Sequence, residues 1–249
     1  MSITIKVRAF IAPEDPEACM RFYEGHSKLL EIHFGIAKIT SGNVDWLQHR
    51  NTIVVIVEDE TGEKTYGGAR VQLADGVIPL PIETAIGKYD PKIYTDVRKG
   101  SAEICGMWNS KEVAGMGIGS LILSRVCVAL MTQLPVDRVH VLCAPITTRM
   151  ARRVGAVIDT SLGNEGTFYY PKDDFIATAM VINDLHVLQT ADESEKTLIR
   201  ELRRQPNQTR TETGPKGIFE VAYQLEVDYT PEDETAVDVQ NEVIEKKDS

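Results

Sequence analysis

Ala114-Gly115-Met116-Gly117-Ile118-Gly119-Ser120 sets three glycines at alternate positions directly ahead of an apolar run, SLILSRVCVALM. Glycine costs a helix up to about 1 kcal/mol per residue relative to alanine, so keeping three requires something only glycine supplies. Two readings fit. Main-chain N–H groups freed of side chains can converge on a phosphate, whose charge the dipole of the following helix favours. Alternatively, the bend passes flush against a neighbouring strand. A dinucleotide or Walker fingerprint is excluded. The spacing is GxGxG rather than GxGxxG, no Gly-Lys-Ser/Thr follows, and the next strand ends in Leu142-Cys143 rather than an acid for a ribose. The polar stretch NSKEV also separates the glycines from the strand before them, whereas a Rossmann turn leaves its strand at once.

Two further groups carry chemistry. Arg149, Arg152 and Arg153 cluster in TTRMARRVGA, and Arg149 and Arg153, four apart, share a helical face. Forked guanidinium donors suit phosphate or an acidic protein face, and a plain solvated helix face is the competing reading. Glu103 lies in the apolar strand AEICGMWN, where desolvation raises a carboxyl pKa toward the working range of a general base; a salt-bridged glutamate is the alternative. His140, in DRVHVLCAP, reads as a structural histidine, and Cys143 as a small buried hydrophobe.

The elements that position these groups follow from periodicity and turn residues. Residues 3–12, 52–58, 65–73 and 102–109 read as strands. Residues 14–34 have helical spacing with Asp15 as a cap before Pro16, and Gly25 weakens the middle, which leaves open one helix or two short ones. ADGVIPLPIE reads as a loop, followed by a short helix around 91–97. The clearest helix is 117–131. DRVHVLC is the next strand, ITTRMARRVGA a helix stopped at Gly155, FIATAMVIND a strand, ESEKTLIRELRRQ a helix and GIFEVAYQLEV a last strand. This order predicts a mixed α/β sheet. Residues 1–228 are expected to form one domain, and 229–249, acidic and poor in aromatics, a mobile tail.

A chain of 249 residues, 43% hydrophobic, can bury a substantial core. Its net charge of −10 argues against non-specific binding to nucleic acid or anionic membrane. No apolar run approaches the ~20 residues of a membrane span, and the start lacks a signal-peptide pattern. Four dispersed cysteines without a CxxC pair argue against disulfides and zinc, so no metal and a cytoplasmic setting are expected.

Strand, polar loop, glycine bend, apolar helix, strand and helix in that order resemble the GNAT superfamily of acyl-CoA-dependent N-acyltransferases. The family's phosphate loop, Arg/Gln-x-x-Gly-x-Gly/Ala, matches Ala114 to Gly119, with Ala114 where Arg or Gln is usual. The resemblance implies an α/β GNAT-like fold, with a donor-binding core over about 64–185 and elaborations at both ends. It implies that amides from about Met116 to Ser120 hold the pyrophosphate, that main-chain groups at Met107, Trp108 and Asn109 hold the pantetheine, and that Arg149 and Arg153 lie beside the donor. Tyr66-Gly67-Gly68-Ala69-Arg70-Val71, then Leu80-Pro81-Ile82-Glu83, further resembles the acyl-homoserine-lactone synthases and N-acyl amino acid synthases of that superfamily. Glu103-Ile104-Cys105-Gly106 keeps only the first two residues of their Glu-Ile-Ser-Arg. In that branch Arg70 and Glu83 would bind acceptor or acyl chain, or else pair with each other.

What the resemblance implies is transfer of an acyl group from acetyl-CoA, another acyl-CoA or an acyl carrier protein thioester to a small amine by direct attack. Glu103 would be the base. Many GNAT enzymes place an acidic tyrosine four residues before the Gly155 position; Ala151 stands there, so either another group such as Tyr169 or Tyr170 protonates the thiolate or it leaves unaided. The same absence supports an alternative, a catalytically silent GNAT-like protein that binds a donor as sensor or scaffold. Phe22, Tyr23 and Trp46 are either acceptor-site aromatics or core.

Overall fold

The computed structural model describes residues 4–35 and 44–231. In chain order it contains β1 (Thr4–Ile11), α1 (Pro16–Phe34), β2 (Thr52–Glu58), β3 (Thr65–Leu73), α2 (Pro81–Ile86), α3 (Ile93–Asp96) and β4 (Ser101–Asn109). There follow α4 (Leu123–Leu130), β5 (Arg138–Cys143), α5 (Pro145–Arg153), β6 (Val157–Ile158), β7 (Thr167–Tyr169), β8 (Ile176–Ile182), α6 (Glu193–Arg204), β9 (Asn207–Gly214) and β10 (Gly217–Gln224). All ten strands join one mixed sheet in the order β6-β8-β5-β4-β3-β2-β1-β10-β9, with β7 pairing the first half of β8 on the edge whose second half pairs β6. Most neighbours are antiparallel; β4 with β5 and β1 with β10 are parallel.

The β-branched run TIVVIVE makes β2 the fully buried centre of the sheet, covered on both faces. Val55, Val57, Val71, Ile104 and Val139 turn toward α4 and α6 on one face. Val54, Ile56 and Phe10 turn toward Phe22 of α1 on the other, where Leu80 and, from α2, Ile82 and Ile86 pack with Phe168.

Of the two arrangements left open by Gly25, the single one forms, and helix α1 runs unbroken through it. The reason is packing, since a Cβ at Gly25 would lie 2.0 Å from the Trp108 ring, so the glycine lets α1 settle onto β4. Its start is capped as expected, with Ala18 N donating to Asp15 Oδ1 at 3.0 Å. Helix α2 begins inside the segment read as a loop. The helix expected over 117–131 opens instead with a π-helical turn, Ile118–Ile122. Strands β6, β7 and β9 were not anticipated. Most of the acidic tail lies outside the described residues. No described helix is long and apolar enough to cross a membrane.

Candidate active site

Parallel strands β4 and β5 pair at only three positions, Ser101↔Arg138, Ala102↔Val139 and Glu103↔His140. Beyond Glu103, β4 follows β3 and β5 follows β8. A bulge in β4 drives the parting. Gly68 pairs with Trp108 but Arg70 with Cys105, so Gly106 and Met107 oppose the single residue Ala69. Gly106 takes φ +62°, and the extra residue bends its strand away from β5. The parting opens a cavity of about 700 Å³ whose wall includes Glu103, Met107, Trp108, Asn109, Val141 and Met150.

Glu103 is buried at the closed end of this fork. Ile82 N donates to its Oε2 at 2.7 Å, so α2 holds the carboxyl in place. Burial pushes its pKa to about 8; the Ile82 amide and the Arg70 charge pull the other way, and Glu83 adds to the rise. Glu83 is not Arg70's partner. Its carboxylate caps α2 by accepting from Leu80 N at 2.7 Å, so the alternative of a mutual ion pair is not formed. Arg70, fully buried, directs Nε to Cys105 Sγ at 3.4 Å, and its guanidinium carbon lies 4.6 Å from the Trp46 ring centre.

The glycine bend packs on one side and faces the cavity on the other. Outward, Gly115 and Gly117 adopt φ +85° and +84° where the β9–β10 turn packs against them. Lys216 N donates to Gly115 O at 2.9 Å, and a Cβ on Gly214 would lie 2.1 Å from Met116 O. Inward, Ala114 and Gly119 line the cavity, and a Cβ on Gly119 would meet Asn109 Oδ1 at 2.2 Å. Leu121 N and Ile122 N both donate to Gly117 O, at 2.8 and 3.2 Å. The Ile118 and Gly119 amides donate to no backbone carbonyl among the described residues. Unpaired N–H groups opening a helix are an anion site, so this rim fits a diphosphate.

The remaining expected residues separate. Arg153 is engaged by Glu195 Oε1 at 2.7 Å and Asp192 Oδ2 at 3.4 Å on the side of α6, so it does not pair with Arg149 as a donor clamp. Helix α5 turns Thr147, Met150, Ala151 and Val154 to the cavity, and Arg149 and Arg152 are exposed on its other faces. Tyr170 lines the cavity, whereas Tyr169 is 62% exposed. Cys105 and Cys143 also line it, but burial pushes their thiols up to about 11 and about 12, far from thiolate. His140 is buried and held neutral, its pKa lowered to about 4 by burial and by Arg138.

Sequence reasoning missed His26, Leu29 and Leu30 of α1 and Ser124 of α4 in the cavity wall. The only signal for the α1 residues was their helical spacing, which core residues share. Among the described residues no cluster of His, Cys, Asp and Glu is placed to hold a metal.

A mixed sheet forked between parallel β4 and β5, with a glycine bend leading into α4 beside the fork, is the fold of the GNAT acyltransferases. One solved structure of this fold is FeeM, an N-acyl amino acid synthase from uncultured soil microbes (18% identity, TM-score 0.50, 72% of this chain and 90% of that one). Another is BjaI, a CoA-dependent acyl-homoserine lactone synthase solved with SAM and isopentyl-CoA (11% identity, TM-score 0.55, 95% and 98% covered). ElaA of Escherichia coli is similar at 11% identity and TM-score 0.51, over 72% of this chain and 99% of its own. No family model matches the chain, and no curated protein matches it in sequence.

Proposed function

We propose that the chain is an N-acyltransferase that moves an acyl group from acyl-CoA, or from an acyl carrier protein thioester, to a small amine. The observation that carries this reading is Glu103 at the closed end of the parted strands, where a cavity wall meets a carboxyl tuned toward neutral pH. The pantetheine arm lies in the gap beside Met107, Trp108 and Asn109, and the diphosphate takes the amides of Ile118, Gly119 and Ser120. Exposed Arg149 and Arg152 suit further phosphate or an acidic carrier surface.

Glu103 accepts the proton from the amine, directly or through water. The nitrogen then forms the new bond to the thioester carbonyl, and the carbon–sulfur bond breaks. Tyr170 returns a proton to the departing thiolate in place of the residue replaced by Ala151. Holding both reactants in one cavity supplies much of the acceleration.

The test is thiol release from acetyl-CoA, longer acyl-CoAs and acylated carrier protein against an amine panel, with native mass spectrometry of the purified protein to identify any bound thioester. Turnover with one donor class supports the reading. Donor binding without turnover across the panel replaces it with a donor-binding sensor.

A further inference from the structure

One row of buried polar side chains crosses four strands of the sheet. Thr52, Gln72, Glu103 and His140 are successive register partners on β2, β3, β4 and β5, so all four point to one face. It is the α2 face, because Ala102, Ile104 and Val139 of the same strands enter the opposite core and Ile82 of α2 bonds Glu103. Polar groups this far inside a sheet ordinarily have hydrogen-bond partners. Thr52 Oγ1 donates to Asn51 Oδ1 at 3.2 Å, and Gln72 has no buried atom without a partner. His140 is the exception: it is 1% exposed, and its Nε2 has no partner. Its surroundings narrow what that nitrogen can serve. Its cross-strand neighbour on β8 is the apolar Val181, and Leu142, two residues on, packs with Ile82 and Ile86 of α2. Arg138 is engaged by Asp96 of α3 and by Asp159, at 3.5 and 3.2 Å, and Glu83 caps its own helix. Of these neighbours, Glu103 alone offers an oxygen on the same face and at the paired position.

We propose that His140 is a positioning residue for Glu103: as the carboxyl ionises, His140 donates its Nε2 hydrogen to the oxygen that Ile82 does not hold. Neighbouring strands stand about 4.8 Å apart, within the combined reach of a glutamate and an imidazole that leave the sheet side by side. A neutral imidazole has one donor and one acceptor nitrogen, and the partners at hand decide which carries the proton. Burying a charge is costly unless it is hydrogen-bonded, so the carboxylate gains more from this donor than the neutral acid does. The bond therefore favours the ionised form, the one able to take a proton from an amine. Other groups facing Glu103 act in both directions: Arg70 also favours ionisation, whereas burial and Glu83 oppose it. Burial and Arg138 keep His140 neutral against the pull of Asp159, so the imidazole lends a hydrogen bond without taking the proton away. That Glu103 acts as a base rests on the transfer reading above; the hydrogen bond to it does not.

Infrared titration of the full chain, with the Glu103→Gln spectrum subtracted to isolate the carboxyl band, reads the ionisation of Glu103 without any substrate. The wild-type midpoint is expected at about 8. His140→Leu fills the space without a donor and is expected to move that midpoint up by about one unit, a tenfold weaker acid. His140→Gln carries an amide hydrogen at a similar reach and is expected to restore the wild-type midpoint. Nitrogen-15 NMR of the wild type needs no variant, and above the Glu103 midpoint it is expected to show the His140 proton on Nε2. A midpoint that stays or falls in His140→Leu, an equal rise in His140→Gln, or a proton on Nδ1 overturns the proposal. Thiol release is read separately. A midpoint that moves as expected in a protein without turnover removes the transfer reading alone.

Discussion

Glu103 and His140 are the last partners joined across β4 and β5. One residue further, the two strands belong to different neighbours and the cavity begins. The proposed base thus stands where main-chain pairing ends, and the strand register determines its place relative to the gap.

Glu103→Gln is expected to lower kcat by roughly 10²–10⁴, the range for general-base catalysis, with donor affinity unchanged. Wild-type kcat rises with pH up to about 8, as the carboxyl ionises, and that limb disappears in the variant. Stability moves the other way. A carboxyl raised in the folded state favours folding below its ordinary pKa and loses that contribution as pH rises to about 8, so Glu103→Gln flattens the decline in melting temperature over that span. A full rate in the variant at neutral pH removes Glu103 as base.

Gly119→Ala tests the phosphate rim. The residue it meets is the flexible end of Asn109, and Gly119 does not need a left-handed backbone, so the fold tolerates the change. CoA affinity is expected to fall about tenfold or more, or about 1.4 kcal/mol, by calorimetry. Unchanged affinity places the diphosphate elsewhere.

Tyr170→Phe should reduce kcat by about tenfold or more, while Tyr169→Phe, altering an exposed side chain, leaves it unchanged. Equal effects of the two changes argue against a phenolic acid at position 170.

Arg125 of α4 ties Glu195 of α6 to Glu212 of β9, at 2.8 and 3.0 Å, all three buried. Arg125→Met leaves Glu195 to Arg153 and Glu212 to Arg210 and Tyr223, each short of one buried donor, and is expected to cost about 1–3 kcal/mol in urea denaturation. A loss under 1 kcal/mol shows that water reaches the pair.

His26 and His140 are both held neutral, with pKa values lowered to about 4, chiefly by burial. Such groups support the fold fully above the ordinary value of about 6.5 and withdraw that support as pH falls toward 4. A His26→Asn/His140→Asn double variant should therefore show a shallower acid limb in melting temperature than the wild type. Parallel limbs in the two proteins refute the assignment.

The glycine bend, the Glu103 strand, the Asp15 cap and the stop at Gly155 were legible in the sequence because each depends on neighbours a few residues away. The rest depends on distant partners. The bulge at Gly106 exists only by comparison with β3, and Arg153 is claimed by Glu195 from another helix. Gly25 looked like a helix breaker until Trp108, eighty positions on, supplied a reason for it. Strand β9, NQTRTETG, has no apolar alternation because it is the sheet's outer edge, and α2, six residues headed by Pro81, is too short to show a period.

The buttress of the glycine bend, Gly214 and Lys216, comes about a hundred residues after it and in a hairpin that also zips alongside β1. The outward face of the bend is therefore completed only by the same hairpin that extends the sheet beyond β1.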